Sequence, residues 1–111
     1  MQEINWDDFA KIELRAGTII EVLDFPEAHK PAYKIKVDFG IYGTRWSSAQ
    51  ITKNYSPDEL PGKQIIAVLN FRPKQIANFI SECLITGFTD TNGDIVLASV
   101  ESEVPNGSLL I

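Results

Sequence analysis

The clearest pattern in the chain is a strict alternation. Tyr33, Ile35, Val37 and Phe39 are apolar, and Lys34, Lys36 and Asp38 between them are polar. A period of two marks a strand with one face in a core and the other in water. The neighbouring segments extend the picture. Gly17 to Phe25 is rich in β-branched residues and stops at Pro26, which predicts a strand. Thr44 to Ile51 predicts another, after a turn bracketed by Gly40 and Gly43. Gln64 to Phe71 is an almost unbroken apolar run, as expected of a central strand, and Pro73 ends it. Cys83 to Phe88 and Asp94 to Val100 form a last pair around Asn92-Gly93, a strong hairpin signal. Helical signals are few. Asn5 caps a short helix over Trp6 to Ala10, with Asp7 and Asp8 in its favourable first turn. Ser56 caps a second helical turn that Pro57 opens and Pro61-Gly62 closes.

Six or so short strands with little helix predict an all-β barrel or sandwich. The five-stranded OB-fold, a Greek-key barrel, accommodates short helices at the N-terminus and between strands, where Ser56 to Leu60 falls. An SH3-like barrel is the structural alternative. The 111 residues, 44% of them hydrophobic, fit a single domain over 1–111 with one core.

Composition narrows the chemistry. One cysteine, Cys83, and one histidine, His29, leave no internal disulfide and no cysteine–histidine metal cage. His29 lies in a loop between Pro26 and Pro31, and Cys83 opens an apolar run as a buried thiol would. There is no glycine-rich phosphate loop. The expectation is therefore no catalytic residue, no metal and no cofactor. No apolar run approaches the roughly 20 residues of a membrane span. The opening residues lack the basic and apolar segments of a signal peptide, so the expected location is the cytoplasm.

Charge is segregated. The net charge of −5 argues against indiscriminate nucleic-acid binding. Yet residues 30–80 hold eight basic side chains against three acidic ones, while the flanking thirds are acidic. That central segment either forms a phosphate-binding face or solvates a surface of mixed sign.

Five stretches in register carry a resemblance. They are Asp8 to Ile19; Phe25-Pro26-Glu27-Ala28 with Lys34 to Gly40; Ser47 to Thr52; Leu60 to Lys63 with Val68 to Ile76; and Ser81 with Val104 to Gly107. Together they resemble the tRNA-binding domain family of the EMAP-II and methionyl-tRNA-synthetase C-terminal type, and within it the stand-alone CsaA-like members. The family's glycines and methionine around Ser81 are replaced here by Asn78, Cys83 and Leu84. The resemblance implies an OB barrel, a homodimer, and tRNA or structured RNA as partner. It also carries an alternative, a chaperone-like module that holds unfolded or export-precursor polypeptide in an apolar groove.

The candidate RNA-binding residues are Lys34, Lys36, Arg45, Ser47, Lys53, Asn70, Arg72, Lys74 and Ser81. The cations would meet phosphates, and the hydroxyls and amide would meet sugars or base edges. For Asn70 a buried, turn-closing side chain is the competing reading, and Asp38 is expected to cap the turn at Gly40. Trp46, Tyr42 and Phe79 are candidates for base stacking or a peptide groove. Trp6, Phe9, Leu109, Leu110 and Ile111 are the expected dimer interface, because termini this apolar are rarely left in water.

Overall fold

A computed structural model describes residues 1–111. Its organising element is β1 (Leu14–Asp24), long enough to serve two partners. The first half, Leu14 to Thr18, pairs antiparallel with β4 (Gln64–Val68). The second half pairs antiparallel with β2 (Tyr33–Asp38), and the register slips between Ile19 and Glu21. Such a bulge increases local twist and lets one strand leave one neighbour and join another. β2 pairs in turn with β3 (Thr44–Ala49), and β4 with β7 (Leu84–Ile85). The five-stranded order is β3-β2-β1-β4-β7, and β3 meets β7 around the back. This is the OB-type Greek-key barrel that the strand pattern predicts.

Closure of the barrel relies on side chains more than on a ladder. The Ser47 hydroxyl donates to the Cys83 carbonyl at 3.0 Å. The Glu82 amide donates to the Trp46 carbonyl at 2.7 Å, and the Trp46 amide returns a bond to Glu82 Oε1 at 3.0 Å. The Ser48 amide donates to Ser81 Oγ at 3.1 Å. The free edge of β3 is thus paired by residues 81–83.

The core is the inward face of the predicted alternation. Ile35, Val37 and Phe39 are fully buried with Ile19, Leu60 and Ile65. Gly17 allows β1 to approach this layer: a Cβ there would lie 2.6 Å from the Phe39 ring and from Val37. Leu60 enters the core at the end of the 3-10 turn Pro57–Glu59, which Ser56 and Glu59 cap reciprocally. The N-terminal helix α1 (Trp6–Ala10) is capped by Asn5 and Asp8 in the same way. Asp38 caps its turn as expected, its carboxylate accepting from the Gly40 amide at 2.8 Å.

Two segments differ from the sequence reading. The expected strand Cys83 to Phe88 is broken at Thr86, whose amide and hydroxyl both donate to the Ile66 carbonyl. Before the break, β7 belongs to the barrel. After it, β8 (Gly87–Thr89) pairs with β9 (Ile95–Leu97) as a hairpin. Gly93 turns this hairpin with a positive φ, and Asp90 ties it down by accepting from the Asn92 and Asp94 amides and from the Asn54 side chain. The second difference is an unpredicted hairpin, β5 (Lys74–Ile76) with β6 (Phe79–Ser81). Its turn uses Ala77 at φ 53, a conformation ordinarily signalled by glycine or asparagine.

Candidate nucleic-acid interface

The register of β2 against β3 decides which side chains share the outer face. Lys34 lies opposite Ser48, Lys36 opposite Trp46, and Asp38 opposite Thr44. These positions point away from the core, so both lysines and Trp46 stand on one surface. Arg45 has the opposite parity, shared with Ser47 and Ala49. Its guanidinium donates to the Leu69 carbonyl at 2.9 Å instead of joining the lysines.

Aromatic rings interleave with the two lysines. Phe25, Phe79 and Trp46 form a chain of edge-to-face contacts, with centroids 5.3 Å and 6.2 Å apart. Lys34 Nζ lies 4.9 Å from the centre of the Phe25 ring and 5.5 Å from that of Phe79. Lys36 Nζ lies 5.8 Å from the centre of Trp46. These are cation–π distances, which orient the ammonium groups without neutralising them.

Arg72, Lys74 and Ser81 belong to a different depression from Lys34 and Phe79. They line a groove of about 820 Å³ with Gln50, Phe71 and Leu84. Two ion pairs form in the molecule, Lys11 with Asp8 and Arg15 with Glu13. Lys34, Lys36, Arg72 and Lys74 take part in neither, so all four keep their charge free for an external anion.

The remaining sequence candidates lie elsewhere. Ser47 is 1% exposed and its hydroxyl is used inside the barrel seam, so it is not a surface group. Asn70 joins elements instead of lining a groove: its carbonyl oxygen accepts from the Glu13 amide at 3.0 Å, and its amide donates to the Lys11 carbonyl at 2.6 Å. It is exposed and bonds the distant 11–13 segment, so it is neither an RNA-facing group nor the buried turn-closing side chain that the sequence offered as the competing reading. Lys53 is exposed on the turn after Ile51 and lines neither depression. Ser81 lines the groove while its oxygen accepts from the Ser48 amide. Of the ring candidates, Trp46 and Phe79 come together, whereas Tyr42 packs against Arg15 at 4.2 Å. Gln50, Phe71, Asn78 and Glu82 were not singled out in the sequence, because their approach depends on the β5–β6 hairpin.

Burial pushes the Cys83 thiol up to about 11, and the Arg45 charge and a Ser47 hydrogen bond only partly oppose this. A thiol held neutral in this way is a poor nucleophile. No group of three or more histidine, cysteine or carboxylate side chains is placed to hold a metal ion. No helix is long and apolar enough to cross a membrane.

Unpaired cations and clustered rings on the β2–β3 face give the surface expected of an oligonucleotide-binding OB barrel. A family model described as "Putative tRNA binding domain" matches residues 14–109, and the chain belongs to this tRNA-binding domain family. Its relatives include the methionine–tRNA ligases of Halalkalibacterium halodurans, 38% identical over 97% of this chain, and Parabacteroides distasonis, 32% identical over 96%. The chain spans 16% of the length of each of those two ligases. Among solved structures, the chaperone CsaA of Bacillus anthracis strain Ames is 44% identical with a TM-score of 0.93, covering 99% of this chain and 100% of that one. The CsaA chaperone protein of Picrophilus torridus is 53% identical with a TM-score of 0.91, covering 98% and 100%.

Proposed function

We propose that the chain is a non-catalytic RNA-binding domain spanning residues 1–111 that holds tRNA or similarly folded RNA. One observation carries this reading. Four unpaired cations, Lys34, Lys36, Arg72 and Lys74, accompany the Phe79 ring of the β5–β6 hairpin and the Trp46 ring packed against it. Phosphates meet the cations, and unstacked bases meet the rings, which is how OB barrels hold single-stranded and looped nucleic acid. The family supplies the partner class, and the cytoplasm is where such RNA is met. Arg45 and Lys53 lie outside this set, as do Ser47 and Asn70, because their side chains are engaged or distant.

The test is a titration with total tRNA at about 50 and 200 mM salt. Binding should weaken steeply between the two. An Arg72→Ala/Lys74→Ala variant should bind about tenfold more weakly at the lower salt, with a salt slope reduced by about two. Unchanged affinity in that variant would remove the groove from the binding face.

A second reading has its own support. The groove beside Arg72 also carries Ile51, Phe71, Ile76, Leu84, Ile85 and Ile95, an apolar wall suited to polypeptide side chains. The similar solved structures are named as chaperones. Suppression of aggregation of an unfolded client, with weak salt dependence, would support this reading, and no effect at stoichiometric protein would end it.

The active form in the proposal is a homodimer. Both chain ends converge on the start of β1, where the Leu110 amide donates to the Leu14 carbonyl and Leu109 bridges Arg15. Trp6, tilted against Phe9, is 72% exposed, and Ile111 is 93% exposed. A second copy would take these side chains out of water.

A further inference from the structure

A second depression, of about 580 Å³, opens between β2, β3 and β6. Leu23 and Ile80 supply its apolar surface, and Trp46 and Phe79 stand in it at 89° to each other. Two perpendicular rings make a corner. A planar base lying flat on one ring turns its own edge toward the face of the other, so such a corner takes bases more readily than it takes a round aliphatic side chain.

Glu82 is the unexpected member of this depression. Its Oε1 accepts from the Trp46 amide, which fixes the carboxylate beside the ring. Its Oε2 accepts no hydrogen bond, and no cation lies within ion-pair distance of either oxygen. A carboxylate beside Lys34 repels phosphate, so it contributes to RNA binding only where it meets hydrogen-bond donors. The bases differ in this respect. Guanine presents N1–H and an N2 amino group side by side on its Watson–Crick edge, and both can donate to one carboxylate. Adenine and cytosine place a single amino group next to a ring nitrogen acceptor, which a carboxylate repels. Uracil flanks its one donor with two carbonyls.

We infer that this depression is a base pocket selective for guanine, with Glu82 reading the Watson–Crick edge. The inference rests on the RNA-binding reading above. In it the base packs into the Trp46–Phe79 corner, the Glu82 carboxylate accepts from N1–H and N2–H, and Lys34 meets the adjoining phosphate. Asn78, whose side-chain amide makes no hydrogen bond within the protein, lines the same depression and is available to the base O6 or the ribose.

The experiment uses three RNA pentamers, uridines with guanine, inosine or adenine at the centre, and the full chain labelled for NMR. The Trp46 indole N–H reports on the pocket, and total tRNA is titrated in parallel. The guanine pentamer should shift that signal and bind about tenfold more tightly than the adenine pentamer. Inosine, which lacks the N2 amino group, should fall between. Glu82→Gln keeps an oxygen for the Trp46 amide, and should bind the guanine and adenine pentamers alike while melting as the parent does. Equal binding of the guanine and adenine pentamers by the parent, or a guanine preference kept by Glu82→Gln, overturns the pocket while tRNA binding leaves the broader reading intact. Failure to bind tRNA overturns both. An extended peptide that moves the Trp46 signal when no nucleotide does assigns the depression to polypeptide and overturns the pocket.

Discussion

At the scale of single residues, parity and burial decide roles more than residue type does. Lys34, Lys36 and Arg45 carry the same charge in the same two-strand ribbon. The lysines reach solvent because they occupy outward positions, while Arg45 bends to a carbonyl from an inward one. Cys83 shows burial acting on chemistry. Its folded-state pKa of about 11 exceeds the ordinary thiol value of 9.0, so folding favours the neutral thiol. The stability this confers is complete below pH 9 and is lost as pH rises from 9 through 11. Chemical unfolding across that range should show a decline of at most about 1.4 kcal/mol per pH unit from this group. Cys83→Ala should remove that component, and a thiol reagent at pH 8 should label the protein only as fast as it opens.

Between elements, the informative joints are made by polar side chains at strand ends. Asn70 follows β4 and binds the chain on both sides of Ile12, through Lys11 and Glu13. It therefore holds α1 against the barrel. Asn70→Ala should cost about 1 kcal/mol, since water reaches the exposed partners once the amide is gone. Faster hydrogen exchange at the Glu13 amide would confirm the assignment. The elements themselves were legible in the sequence to unequal degrees. The alternation at Tyr33 to Phe39 and the caps at Asn5 and Ser56 are local signals, and the structure bears them out. The β5–β6 hairpin was not legible, because three-residue strands are too short to show a period and Ala77 conceals the turn. Nor was the break at Thr86, which depends on a carbonyl twenty residues earlier in the chain.

Over the whole molecule, charge that is segregated along the sequence is partly mixed by the fold. The central cationic segment supplies β2, β3 and the β5–β6 region, but acidic residues of the flanking thirds interleave with it: Glu21 lies opposite Lys36 in the β1–β2 ladder, and Glu82 lines the same depression as Lys34. The candidate site was legible as a list of cations but not as a shape. The sequence placed the lysines on one side of β2. It could not show that Lys34 and Arg72 line different depressions, or that Glu82 shares the one with Lys34. The proposed dimer is also a property at this scale. Sedimentation of the parent chain should give twice the monomer mass, and a Trp6→Glu/Ile111→Asp variant should sediment as a folded monomer. A parent that sediments as a monomer would reassign the exposed termini.

The edge of β3 restricts what the barrel can recruit. An unpaired strand edge is a template on which another chain can add itself, and that is how many domains capture extended segments and how many aggregate. Here the Trp46 and Ser48 amides and the Trp46 carbonyl are already occupied by residues 81 and 82. A visiting polypeptide would have to peel those residues away before it could lie along this edge as a sixth strand. Recognition at this seam is therefore left to side chains, and the domain can present rings and apolar surface beside it without seeding fibrous growth from its own backbone.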